Sequence, residues 1–215
     1  MTLVLHSMWR ATAPYRVRIG LNLKGLPFDY VPVDLPGGEQ RGEAYRGGVN
    51  RQGLTPALRT DDSTLTQSLA ILEWLEETHP RPPILPKDRL DRAIVRSMAL
   101  TIACDIHPLN NLRVLQALSG LGVAAGSPRQ RDWIHGWMQE GFDALEPRVA
   151  EHGRGFAVGD APTIADCCLV PQVYSAERYA FDLAPYPAIR AAVDHARAHP
   201  AFAAAHPDRQ PDARP

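Results

Sequence analysis

The stretch HPRPPILP, His79 to Pro86, carries four prolines in eight residues. Proline has no amide hydrogen to donate and its ring clashes with the preceding helical turn, so no helix runs through this segment. The spacing of apolar residues changes across it. Upstream, short strands alternate with helices; downstream, the apolar positions recur at helical intervals. The chain therefore reads as an α/β unit over residues 1–80, a proline-rich linker over 81–88 and an all-helical domain over 89–215.

Working back from the linker, Ser68 to Glu77 is a helix with Leu69, Ile71, Leu72 and Leu75 on its apolar side. Pro56-Ala-Leu58 and Ser63-Thr-Leu65 flank Asp61-Asp62 as a hairpin. Gly37-Gly38 and Gly47-Gly48 bracket a polar loop. Phe28 to Val33 is a strand, and Pro32 marks it as an edge or an end. Between that strand and an opening strand at Leu3-Val4-Leu5, the segment WRATAPYRVRIGLNLKG (Trp9 to Gly25) suits either strand or helix. Proline belongs in the first helical turn and glycine just past the last, so Pro14 and Gly25 decide for a helix over Pro14 to Lys24.

Downstream, Leu90, Ile94, Met98 and Ile102 recur at spacing four, and Pro108 is expected to end or kink their helix. Trp133, Trp137, Gly141, Ala144 and Leu145 define another helix. Asp182 to Pro187 forms a loop before an Ala-rich helix from Ile189 and a polar, Pro-rich tail.

Composition narrows the function classes. With 215 residues, 45% hydrophobic and a net charge of -1, the chain can bury a core but lacks the basic excess of a nucleic-acid protein. Its apolar runs fall short of the roughly 20 residues a bilayer crossing needs. MTLVLHSMWR has neither a basic start nor an A-x-A cleavage site, so the expected location is the cytoplasm. Cys104, Cys167 and Cys168 lack disulfide or metal spacing and read as buried reduced thiols. The eight histidines are scattered, with no metal-ligand pairing.

Three features point to a ligand site in a cleft between the two parts. The helix N-terminus at Pro14 offers free N–H groups and a favourable dipole to phosphate, carboxylate or thiolate. No cysteine of the chain lies near it, so the anion comes from a bound ligand. Thr55-Pro56 precedes a short strand, and a cis bond there would present the Thr55 backbone to an extended peptide. Gln67-Ser68 opens a helix, where Ser68 either caps the helix or shares in holding a carboxylate.

These pieces in this order, with YRVRIGLNLKG, QSLAILEWLEETHP, DIHPLNNLRVL, GFDALEP, VGDAPTIADCCLVPQVYSAERY and DLAPYP, resemble the zeta class of the glutathione transferases, the maleylacetoacetate and maleylpyruvate isomerases. Thr163 and Asp166 fit that family's N-capping box. The resemblance implies an N-terminal thioredoxin-like domain followed by a helical domain, and glutathione as cofactor. It assigns Gln67 and Ser68 to the γ-glutamyl end, Thr55 with Pro56 to the cysteinyl part, and Gln40 to the loop closing over the tripeptide. Arg10, Arg113 and Arg178 match positions lining the site of maleylpyruvate isomerases, with His107 and Asn111 beside them.

The implied substrate is a maleyl keto acid with carboxylates at both ends, and arginine suits a carboxylate through two parallel hydrogen bonds. The implied reaction adds the glutathione thiolate to the cis double bond. Arg10 and the helix N-terminus stabilise the developing enolate, and rotation and loss of the thiolate give the trans isomer. Implied too are a homodimer and a place in aromatic or tyrosine breakdown. At one point the sequence departs from its class: where the zeta motif reads Ser-Ser-Cys, this chain reads Ala11-Thr12-Ala13. Only Thr12 retains a donor, and one lost charge-assisted hydrogen bond amounts to about 1.5–3 kcal/mol. A general transferase or dehalogenase, and a binding protein without turnover, therefore stay open as alternatives.

Overall fold

The computed structural model describes residues 2–214. It contains two compact units: residues up to Ile84 together with those from Arg197 onward, and Leu85–Ala196. Residues 197–215, which chain order groups with the helical segment, thus fall in the first unit.

The first unit is built on a four-stranded sheet in the order β2-β1-β3-β4. Its strands are β1 (Val4–Ser7), β2 (Asp29–Pro32), β3 (Ala57–Arg59) and β4 (Thr64–Thr66). Leu5 of β1 is fully buried and pairs with Tyr30 on one side and Leu58 on the other. β1 and β2 are parallel, which requires a crossover, and helix α1 (Thr12–Leu23) supplies it. β3 runs antiparallel to β1 and forms the expected hairpin with β4. A short helix α2 (Glu43–Gly48) precedes β3, and α3 (Ser68–Thr78) follows β4.

Helix α1 begins two residues before the expected Pro14, with Ala11 at the N-cap. Pro14 still lies in the first turn, where its missing N–H leaves no intrahelical bond unmade. The other end follows the sequence signal. Gly25 has φ +64°, Leu26 N–H donates to Leu21 O (3.0 Å) and Gly25 N–H to Asn22 O (3.1 Å), a Schellman stop that glycine's missing Cβ permits.

α1 is buried on almost every side, packed on α3 and on α9 (Pro200–Ala205). A Cβ at Gly20 would overlap Leu72 Cδ2, so glycine is what lets α1 and α3 approach. The Asn22 side chain donates to Ala201 O at 3.0 Å. The start of the proline-rich linker is fastened here as well. Lys24 Nζ, buried, donates to Glu76 Oε2 (2.6 Å) and Pro82 O (2.7 Å), and the same Glu76 oxygen accepts from Ile84 N–H (2.9 Å).

The second unit holds α4 (Arg89–Leu100), α5 (Leu112–Gly120), α6 (Pro128–His152), α7 (Ile164–Arg178) and most of α8 (Pro187–Ala198). The spacing-four reading of α4 requires correction: Leu90 is 69% exposed, and the buried stripe is Val95, Met98, Ala99 and Ile102. Pro108 acts earlier than expected. It cannot donate to the Cys104 carbonyl, and the chain already changes to a π-helical turn over Thr101–Ile106 before a 3-10 turn over His107–Asn110. A Cβ at Gly141 of α6 would overlap Ile106, so this turn is seated on a glycine. Cys167 and Cys168 are buried, whereas Cys104 on the π turn is exposed. Among the described residues no helix is long and apolar enough to cross a membrane.

The capping box of α7 forms as read. Thr163 Oγ1 accepts from Ala165 N–H, and the fully buried Asp166 accepts from Thr163 N–H (2.8 Å), Thr163 Oγ1–H (2.9 Å) and Ala157 N–H (2.7 Å). Burial pushes the Asp166 carboxyl up to about 6, against the opposing pull of these bonds. The folded state thus holds this proton more tightly than the unfolded chain. Its contribution to stability is full below about pH 4 and declines as pH rises through about 6. Asp166→Ala leaves two buried N–H groups unpaired and is expected to destabilise the protein by about 3–5 kcal/mol at neutral pH, read by chemical denaturation.

Candidate active site

The chain between β1 and α1 is shaped by a buried arginine in the middle of α1. Arg18 is 0% exposed. Its Nη2 donates to Trp9 O (2.7 Å), Nη1 to Ser7 Oγ (3.2 Å) and Met8 O (3.5 Å), and Nε to Ala205 O of α9 (3.1 Å). Its guanidinium also lies 5.0 Å from the centre of the Tyr15 ring. An arginine on an otherwise apolar helix face, without an acidic neighbour one turn away, was the sequence signal for such a role.

This anchoring delivers the start of α1. Ala11 at the N-cap makes no side-chain bond, and no acidic residue lies in the first turn. The N–H groups of Thr12 and Ala13 are therefore the first donors of a 12-residue helix, uncovered by any cap of their own. Thr12 is buried, while Arg10 is exposed with its guanidinium 5.5 Å from the Trp9 ring centre.

The other first-unit residues lie on three segments. The Thr55–Pro56 bond is cis, as considered from the sequence. The carbonyl just before it, Leu54 O, accepts from Tyr45 Oη (3.0 Å) and Asn50 Nδ2 (2.8 Å), so the Thr55 backbone is fixed. Burial, and then the charge of Glu39, push the Tyr45 phenol up to about 12 and keep it a donor. Gln40 sits in a 3-10 turn over Glu39–Arg41; its Oε1 is buried with no partner among the described residues. Ser68 is not the cap of α3. Gln67 takes that position with φ +69° and ψ 113°, and Ser68 Oγ instead accepts from Arg16 Nη1 of α1 at 3.3 Å. A glutamine in this sparsely populated conformation stores strain, as residues at binding sites often do. The Gln67 amide is oriented by Gln52 Oε1 at 2.9 Å.

The second unit carries His107, Asn111, Arg113 and Arg178. His107 opens the 3-10 turn, and Asn111 caps α5 by accepting from Arg113 N–H at 3.1 Å, which sets the two side chains on one helix start. Trp133 Nε1 donates to Leu109 O (2.9 Å) and fastens the intervening turn. Arg178 ends α7 with its guanidinium 5.9 Å from the Tyr174 ring centre and 5.7 Å from that of Tyr179. Aromatic faces leave the guanidinium edge open to a carboxylate.

A family model described as the glutathione S-transferase N-terminal domain matches residues 13–78, and one for the C-terminal domain matches 132–199. The chain belongs to the glutathione S-transferase family. Its two-part fold is the expected thioredoxin-like unit followed by a helical domain. A maleylacetoacetate isomerase of Pseudomonas aeruginosa is 46% identical over 211 residues, covering 97% of each chain. A holo maleylpyruvate isomerase, described as a bacterial glutathione S-transferase of the zeta class, superposes with a TM-score of 0.94 at 43% identity, over 98% of this chain and 100% of that one. A maleylacetoacetate isomerase from Anaeromyxobacter dehalogenans, solved with GSH in its active site, gives 0.88 at 44% identity over 99% and 98%.

In this glutathione S-transferase one planar guanidinium makes all four of these bonds, to Ser7, Met8, Trp9 and Ala205. Arg18→Lys, with a compact ammonium in place of the planar fork, is expected to cost about 2 kcal/mol or more in urea unfolding. Stability equal to the wild type would contradict the anchoring role.

Proposed function

We propose that the protein is a glutathione-dependent cis–trans isomerase of a maleyl keto acid, maleylpyruvate or maleylacetoacetate, working as a cytoplasmic homodimer in aromatic or tyrosine catabolism. The observation that carries the proposal is the uncapped N-terminus of α1, which follows directly from Arg10 and has no thiol of its own to serve. Full-length similarity to isomerases of both substrates supports it. The residues present suit glutathione: the buried Gln40 Oε1 has no donor among the described residues, the Thr55 backbone is fixed, and the strained Gln67 turns the chain into a second helix start. When bound, glutathione supplies a thiolate that adds reversibly to the cis double bond.

In this reading residues 1–80 bind the tripeptide, 81–88 link them to the helical residues from 89 onward that bind the substrate, and the tail from residue 197 returns to the first unit. Thr55 pairs through its backbone, with Pro56 setting the chain direction, while Gln67 and Ser68 hold the γ-glutamyl carboxylate and Gln40 closes the loop. The N–H groups of Thr12 and Ala13, with the Thr12 hydroxyl, hold the sulfur in its charged form. Arg10 stabilises negative charge as it develops on the substrate, and Arg113 and Arg178 take its carboxylates, with His107 and Asn111 alongside. Exposed Leu90 and Leu100 on α4 support a dimer.

A second reading, glutathione binding without turnover, is favoured by the missing hydroxyl at Ala11. One assay separates the two: following maleylpyruvate and maleylacetoacetate by the absorbance of the maleyl conjugate, with and without glutathione, on dimer confirmed by light scattering. The expected outcome is glutathione-dependent conversion, reduced at least about tenfold in Arg10→Ala and in Arg178→Ala. Bound glutathione with neither compound converted would instead make the chain a binding protein.

A further inference from the structure

Trp9 is held at both of its backbone polar groups. Its N–H donates to Asp212 Oδ2 at 3.0 Å, and its carbonyl accepts from Arg18 Nη2 at 2.7 Å. The other Asp212 oxygen accepts from Tyr30 Oη at 2.6 Å. Ser7 Oγ accepts from the same Arg18 through Nη1 at 3.2 Å. Burial, followed by the bond to Asp212, raises Tyr30 far above the usual phenol range and keeps it a donor at any physiological pH.

Asp212 belongs to the C-terminal tail, beyond α9 and a 3-10 turn over Pro207–Arg209. The tail arrives on a fixed course because Gln210 Nε2 donates to Ala204 O (3.1 Å) and His206 O (2.8 Å). Its target is a tight turn. Ala11 N–H donates to Met8 O at 3.0 Å, so Trp9 and Arg10 are the two central residues between β1 and α1. Arg18 alone would hold this turn at its carbonyls. Asp212 adds the restraint on the N–H side, so the Met8–Trp9 peptide plane is held at both ends, at Met8 O and at Trp9 N–H, while the Trp9 carbonyl in the next plane is held by Arg18.

We propose that Asp212 is a positioning residue for the reaction: by clamping the Trp9 amide it fixes the direction in which the turn presents Arg10 and the start of α1. The proposal rests on the glutathione-dependent reading given above. The α1 start is assigned only the glutathione sulfur, while the segments assigned its γ-glutamyl and cysteinyl backbone, at Thr55 and at Gln67-Ser68, are remote in sequence from this turn, so loss of the clamp is expected to act on turnover more than on cofactor affinity.

The test compares the full-length wild type with Asp212→Ala and Asp212→Asn. Asparagine keeps an oxygen for the Trp9 N–H and turns its amide to the Tyr30 oxygen, so it is the rescuing variant. In Asp212→Ala, kcat with maleylpyruvate at saturating glutathione is expected to fall about five- to tenfold, with the calorimetric Kd for glutathione within about twofold. Hydrogen exchange at the Trp9 amide should accelerate in the alanine variant alone, and Asp212→Asn should return kcat to within about twofold of the wild type. Three results would overturn the inference: wild-type kcat in Asp212→Ala, parallel losses in kcat, Kd and melting temperature, or an asparagine variant as impaired as alanine. An unprotected Trp9 amide in the wild type overturns the clamp itself. A wild type that protects Trp9 but converts neither maleyl compound overturns the proposed function, and with it the catalytic part of this inference.

Discussion

A single buried guanidinium organises the half of the molecule that matters most for chemistry. Arg18 reaches Ser7 at the end of β1, the Met8 and Trp9 carbonyls of the following turn, and Ala205 of the last helix. A charge in that position is costly unless every donor is used, and the backbone carbonyls around it supply the acceptors. The same bonds close the β1–α1 turn and attach the returning C-terminal segment to α1. The open helix start, the seat of Arg10 and the packing of α9 are therefore parts of one polar network.

The lost hydroxyl at Ala11 can be weighed against what remains. A charge-assisted hydrogen bond amounts to about 1.5–3 kcal/mol, and a helix N-terminus favours an anion by about 0.3–2 kcal/mol. The dipole alone falls short of replacing the bond. Two uncovered N–H groups and the buried Thr12 hydroxyl together reach the same magnitude, and burial strengthens each of them relative to water. Arg10, stacked on Trp9, adds a positive charge without a covalent change in the helix start. In the proposed reading, several backbone and neighbouring groups take over the role of one serine.

Local signals with a steric cause were legible in the sequence. Pro14 and Gly25 fixed α1 because φ restriction and a positive-φ stop act within one turn, and the Thr163–Asp166 box named its own hydrogen bonds. What depends on distant partners was not. Arg18 carried only the bare signal of a charge on an apolar helix face, because one of its acceptors, Ala205 O, lies 187 residues away. Asp212 sat in a tail whose composition says nothing of Trp9 or Tyr30. Ser68 seemed a cap because the positive φ at Gln67, which displaces that cap, has no side-chain signature. The α4 stripe was misplaced because spacing four and a helical face drift apart over three turns, leaving Leu90 outside.

The central claim is that the α1 start ionises a bound thiol without the serine of its class. Titrating the ultraviolet thiolate absorbance of glutathione bound to the wild-type protein tests it most directly. An inflection at least about one unit below the ordinary thiol value near 8.5 is the predicted result. An inflection at that ordinary value, with glutathione fully bound, would contradict it.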